Sequence, residues 1–386
     1  MRNFVYDIGT KVFFGEGSLS RLPAAIAPVA RRVLLVYGGG SIKKSGLYDE
    51  VTSGLRTAGI EWVELSGVDP NPRVESVNEG ARLCREAGIE AVLAVGGGSV
   101  IDCAKVIAGA TFHDGDAWEL VTRKATYTRF LPIFTVLTLS ATGSEMDAVA
   151  VISNMQTNDK IGTGHPDMRP RASVLDPRYT FSVSKYQTAA GTADIMSHVF
   201  EVYFSPVKTA YISDRLAEGV LKTCIEFGVR AYEHPDDYDA RANLMWASSL
   251  AINNLLTYGK NTGWSVHSME HQLSAYYDIT HGVGLAILTP AWMRYVLSDA
   301  TVDKFAEYGV NVWGIAPHGE KYAIAREAID RTEAYFRALG IPSTLREVGI
   351  DEEKLAVMAE KAAAGLGEVF VPLTADDVLA IYRACL

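Results

Sequence analysis

Four cysteines in 386 residues, with no CxxC among them, leave neither a disulfide framework nor a zinc-thiolate site to build. Cys84, Cys103, Cys224 and Cys385 lie far apart and suit a reducing compartment. Basic charge is also short. Lys and Arg number 36 against 46 Asp and Glu, a net charge of −10, which argues against a broad surface for nucleic acid or anionic lipid. An anion can still be held locally by backbone N–H groups and one or two lysines. No apolar run approaches the roughly 20 residues that span a bilayer. Met1 to Gly15 shows no basic stretch leading into an apolar core. A cytoplasmic protein is expected, with neither nucleic acid nor membrane as partner.

What is present points to two domains, for which the length suffices. In the first half, short apolar runs alternate with amphipathic ones. Residues 32–37 (RVLLVY), 60–65, 89–95 (IEAVLAV) and 131–139 read as strands, and 47–58, 74–87 and 98–107 as helices. Residues 4–15 read as two short strands around Asp7-Ile8-Gly9. Alternation about every 30 residues implies a parallel sheet covered by helices, with ligands at the carboxyl ends of its strands. From about Tyr186 only long helical patterns follow: 187–204, 211–232, 240–256, 264–277, 283–297, 321–338 and 351–363. The expected architecture is an α/β, Rossmann-like dinucleotide-binding domain over residues 1–184. An all-helical metal- and substrate-binding domain follows over 185–386.

Glycine tracts end two of the strands, as Gly38-Gly39-Gly40-Ser41 and Gly96-Gly97-Gly98-Ser99. Glycine lets backbone approach a pyrophosphate, and a helix N-terminus behind it offers free N–H groups. One such tract serves equally well as a tight turn; two at adjacent strand ends favour a nucleotide site. The tract after RVLLVY carries no acid to meet a ribose 2′-hydroxyl, whereas Ser41, Lys43 and Lys44 suit a 2′-phosphate, so NADP(H) is the expected cofactor. Thr138-Leu139-Ser140-Ala141-Thr142-Gly143-Ser144-Glu145 ends a further strand and reads either as a Ser/Thr turn or as a cofactor contact.

Three of the eight histidines, His267, His271 and His281, fall within fifteen residues. His267 and His271 are i,i+4 and share a helix face, as do Asp194 and His198 upstream. Each pair alone fits an ordinary buried hydrogen bond. Asp194, His198, His267 and His281 together make an N3O donor set for one divalent ion, Fe²⁺ or Zn²⁺.

The segments GGGSVID, TLSATGSE, AGTADIMSH and HSMEHQLSAYYDITHG, with their spacing, resemble the iron-containing (group III) alcohol dehydrogenase family over essentially the whole length. The likeness is nearest to its NADPH-dependent butanol dehydrogenase branch. The resemblance implies that Asp194, His198, His267 and His281 bind the metal and that His271 lines the substrate cleft as the catalytic candidate. It implies that Gly97, Gly98, Ser99 and Asp102 hold pyrophosphate and ribose, with Thr138, Thr142, Ser144 and Lys160 along the rest of the cofactor. Gly38, Gly39, Ser41 and Asn71 complete that set, Gly39 standing where NAD-using relatives carry Asp. The implied protein is a homodimer that passes hydride between NADP(H) and a small primary alcohol or aldehyde. A metal-dependent polyol dehydrogenase is the alternative. A hydrolase or lyase and a nucleotide-binding regulator are the remaining rivals.

Overall fold

The computed structural model describes residues 1–386. The chain divides into two compact units, one of residues 7–183 with 235–249, the other of 1–6, 184–234 and 250–386. The expected split at 184/185 assigned residues 235–249 to the helical part. They fall with the sheet unit because Met245 packs into its apolar core and the Ser249 hydroxyl donates to the Glu145 carboxylate. Residues 1–6 fall with the helices, where the rings of Phe4 and Tyr6 lie 5.0 and 5.1 Å from that of Tyr258. The strand expected before Asp7 is therefore absent.

In the first unit the strands are β1 (Lys11–Phe14), β2 (Arg32–Tyr37), β3 (Glu61–Leu65), β4 (Ala91–Gly96), β5 (Ile133–Leu137), β6 (Val149–Asn154), β7 (Asp159–Gly164) and β8 (Ala172–Leu175). Six form one sheet in the order β1-β8-β5-β4-β2-β3, parallel throughout, while β6 and β7 pair antiparallel as a separate hairpin. Side-chain alternation explains why the strands read as continuous apolar runs. Leu34, Val36, Val92 and Ala94 face one core, which holds residues of the helices Val74–Ala87 and Gly98–Ala110. Val33, Leu35, Leu93 and Val95 face the opposite core, with residues of Leu22–Ile26 and Leu47–Thr57. Truncating such a side chain, as in Leu34→Ala, costs about 2–5 kcal/mol. β2 is flanked by β3 on one side and β4 on the other, so the chain reverses its direction of travel between β2 and β4. That reversal is where an open parallel sheet leaves a crevice.

The second unit is helical. Its central helix, Lys185–Tyr203, is buried along every side from Thr188 onward, which accounts for its lack of a polar face. Tyr211–Glu233 and His281–Val296 pack against it. Ser265–Tyr277, Val302–Asn311, Lys321–Ala338, Leu355–Ala364 and Ala375–Ala384 complete the unit. The helices at 302 and 375 were not anticipated, although the second begins with a capping box between Thr374 and Asp377 that is visible in the sequence. No helix is long and apolar enough to cross a membrane, and all four cysteines are free and buried.

Candidate active site

Four side chains meet inside the helical unit. Asp194 and His198 project from the central helix, His267 from the first turn of Ser265–Tyr277, and His281 from the start of His281–Val296. Asp194, His267 and His281 each bring one ligand-type atom to within 4.8 Å of the others. His198 falls outside that trio yet adjoins it, with Nδ1 3.4 Å from Asp194 Oδ1 and its ring centroid 4.6 Å from that of His267. His281 Nε2 lies 3.7 Å from the same Asp194 oxygen.

Asp194 Oδ1, His198 Nδ1 and His267 Nε2 are all buried without a hydrogen-bond partner in the protein. A buried polar atom left unpaired costs about 1–3 kcal/mol, so three converging ones call for a shared partner. Burial pushes the His198 imidazolium down to about 3; Asp194 opposes the shift, and His267 and His281 add to it. His198 is therefore neutral at pH 7, the form that donates a lone pair to a cation. Three imidazoles and one carboxylate fit a divalent ion.

His271 is half-buried, its ring centroid 5.6 Å from that of His281 and 6.4 Å from that of His267. Trp264 precedes the helix in a left-handed conformation, φ 56°, with its ring set edge-on to His267 at 5.0 Å and His198 at 6.0 Å. That backbone conformation is costly for a bulky residue, and here it delivers an indole to the cluster. Two buried acids, Glu201 and Glu270, contact His267 and His281 and were missed in the sequence. Their signal was spacing: each lies three residues after a histidine on the same helix, Glu201 after His198 and Glu270 after His267.

In the sheet unit the two glycine tracts follow β2 and β4, and Thr138 follows β5, at the carboxyl ends of adjacent strands. Gly97 and Gly98 open the helix Gly98–Ala110, with Ser99 in its first turn. A Cβ on Gly98 would come within 2.3 Å of Thr142 Oγ1, so glycine is what lets this turn meet TLSATGSE. The same Oγ1 accepts from the Ser144 N–H at 3.2 Å.

Asp102 is half-buried and already engaged. Its carboxylate accepts from the Ser144 hydroxyl at 2.5 Å and the Val151 N–H at 2.8 Å, and burial pushes it up to about 6. It ties turn, helix and hairpin together. Lys160 is buried on β7, and Asn71 is buried at φ 52° in its loop. Gly38 would place a Cβ 3.3 Å from the Val68 carbonyl oxygen, whereas at Gly39 a Cβ would meet nothing. Ser41 opens a one-turn helix and is exposed.

The acid absent from the first tract has a counterpart one strand away. Glu64 of β3 accepts from the hydroxyls of Tyr37, at 2.5 Å, and Tyr48, and lies 3.4 Å from Lys43 Nζ. Burial alone would raise this carboxyl, but the hydrogen bonds from Tyr37 and Tyr48 and the Lys43 charge outweigh it and hold it low. Lys43 also sits over the rings of Tyr37 and Tyr48 at 5.0 and 4.6 Å. Its charge, expected to meet a 2′-phosphate, is already countered.

Comparison with known proteins covers both units. A family described as iron-containing alcohol dehydrogenase matches residues 9–177, and its C-terminal family, Fe-containing alcohol dehydrogenase, matches 188–386. NADH-dependent butanol dehydrogenase A of Clostridium acetobutylicum is 58% identical, over 99% of each chain. The NADPH-dependent aldehyde reductase YqhD of Escherichia coli is 38% identical, over 94% of this chain and 93% of its own. Among solved structures, an NADH-dependent butanol dehydrogenase A from Thermotoga maritima superposes with a TM-score of 0.95 at 39% identity, over 100% of this chain and 99% of that one.

Proposed function

Because the chain belongs to the iron-containing alcohol dehydrogenase family and is an alcohol dehydrogenase, we propose that it interconverts a small primary alcohol, of the butanol type, and its aldehyde. One divalent ion would be held by Asp194, His198, His267 and His281. The observation that carries this reading is the convergence of three unpartnered buried atoms, Asp194 Oδ1, His198 Nδ1 and His267 Nε2, beside His281 Nε2. Such an ion supplies Lewis-acid stabilisation of a substrate oxygen, and a nicotinamide supplies the hydride chemistry.

The protein's own part is binding and orientation. Gly97, Gly98 and Ser99 present the N–H groups of a helix start to a pyrophosphate. Thr138, Thr142, Ser144 and Lys160 are assigned to the remainder of the cofactor, and Gly38, Gly39, Ser41 and Asn71 to its adenosine end. Asp102 shapes that surface by holding Ser144 and the Val151 amide rather than by offering a free carboxylate. His271, half-exposed beside the cluster, passes the alcohol proton to solvent. An N3O set accepts both Fe²⁺ and Zn²⁺, so supply decides which is bound.

Cofactor choice is drawn toward both forms. The turn at 38–41 has no carboxylate to repel a 2′-phosphate, while Glu64 counters Lys43 and the Clostridium relative at 58% identity is named for NADH. We infer that NADPH is used and that NADH is used beside it. A homodimer is part of the proposal, in keeping with β1 as an unpaired sheet edge; light scattering at twice the chain mass checks it. The activity test follows NADPH and NADH oxidation with butanal before and after chelation. Turnover with both, lost on chelation and restored by Fe²⁺ or Zn²⁺, is expected. No turnover with any small aldehyde would sink the reading.

A further inference from the structure

Behind two of the imidazoles stand two carboxylates outside the donor set. Glu201, on the central helix, is 5% exposed and accepts from the first three backbone N–H groups of Ser265–Tyr277: Ser265 at 2.8 Å, Val266 at 2.7 Å and His267 at 2.9 Å. No side chain of the preceding residue, Trp264, caps that helix, so the cap comes from another helix altogether. The same Glu201 Oε1 lies 3.2 Å from His267 Nδ1. Glu270, fully buried, is bound through one oxygen by the Ser274 hydroxyl and through the other meets His281 Nδ1.

The two arrangements repeat one pattern on different elements. In each, a buried carboxylate takes the Nδ1 side of a ring, and Nε2 is turned toward Asp194 and its neighbours. His267 Nε2 has no partner in the protein, and His281 Nε2 lies 3.7 Å from Asp194 Oδ1. A carboxylate on Nδ1 draws the ring proton there and leaves the Nε2 lone pair free; it also fixes the ring plane. Burying two carboxylates is costly, and a helix cap alone needs no second acid at residue 270.

We propose that Glu201 and Glu270 are positioning residues that hold His267 and His281 in the Nδ1–H tautomer, so that both Nε2 lone pairs face one divalent ion. The inference rests on the metal reading above and deepens it. It explains why the donor set is assembled from three helices: Glu201 of the Asp194 helix orients His267, and Glu270 of the His267 helix orients His281. Each of the first two ligand-bearing helices thereby sets a ring on the next.

The test is metal binding, not turnover. Glu270→Gln keeps a group that accepts from His281 Nδ1–H and an amide that meets Ser274, but it removes the charge. Zn²⁺ affinity, read by competition with a chromogenic chelator, is expected to fall about tenfold, and about a hundredfold in Glu270→Ala and Glu201→Ala. The ligand-field bands of the Co²⁺-loaded protein are expected to shift in Glu270→Gln, while the melting point of the metal-free protein stays where it was. Unchanged Zn²⁺ affinity and Co²⁺ bands in Glu270→Gln would overturn the assignment. So would a Glu201→Ala protein that melts earlier yet binds Zn²⁺ as before, since that is the behaviour of a helix cap alone. Should Glu270→Gln not fold, Ser274→Ala loosens the same carboxylate, and an affinity equal to the parent's counts against the proposal. A parent protein that binds neither ion would instead remove the metal reading itself.

Discussion

Two single residues bear on the proposed cofactor preference and on how stability changes with pH. Gly39 is a glycine that the backbone does not require: a Cβ there meets nothing, and its φ is not positive. Gly39→Asp should therefore fold normally and, at the proposed adenosine end, add a carboxylate that accepts from a ribose 2′-hydroxyl and repels a 2′-phosphate. The ratio of kcat/KM for NADH over NADPH is expected to rise about tenfold or more; an unmoved ratio would place the adenosine end elsewhere. Glu145 bears on stability. It is fully buried, one oxygen taken by Ser249 and the other unpartnered, and burial pushes it up to about 7. Its folded pKa is above the unfolded one, so its share of stability is fully present below about pH 4.5 and is lost as pH rises through 7. Glu145→Gln mimics the protonated form. Its thermal advantage over the parent is expected to grow between pH 5 and pH 8, toward about 3 kcal/mol at most, and a constant offset across that range would refute the assignment.

At the scale of elements, the sequence told most where one physical signal acted alone. RVLLVY is a strand over Arg32–Tyr37 as expected, because both of its faces are buried and nothing competes with its apolar run. The helix at Val74–Ala87 was equally legible from its amphipathic spacing. The hairpin of β6 and β7 was not, since its strands alternate poorly and end in polar residues such as Asn154 and Asp159. That Asp102 also accepts from Ser144 and the Val151 amide was not legible either, because these partners lie more than forty residues ahead, a proximity only the fold creates. The turn that Asp102 helps to hold is also the one that Gly98 lets close. A methyl on residue 98 would displace Thr142, so Gly98→Ala is expected to weaken NADPH binding, measured by fluorescence titration, at least tenfold while metal content stays at the parent's level. Equal NADPH affinity would show that the close approach of the two turns is dispensable.

For the molecule as a whole, the change to helices near residue 184 was readable and the return of residues 235–249 to the sheet unit was not. The α/β and helical halves differ in period, a local property, whereas residues 235–249 join the sheet unit through Met245 and Ser249, contacts that no local pattern announces. The four proposed ligands are drawn from their types and spacing. The two acids behind them carry only a spacing signal, and it points to the wrong ring in each case: Glu201 pairs with His267 rather than His198, and Glu270 with His281 rather than His267. The central claim is that one divalent ion, seated on these four side chains, is required for alcohol dehydrogenation. The most direct measurement titrates the metal-free protein with Fe²⁺ or Zn²⁺ while butanal-dependent NADPH oxidation is followed. Activity is predicted to rise in proportion to added ion, to level off at one ion per chain, and not to appear in His267→Ala. Full activity in protein shown to be metal-free would contradict the account.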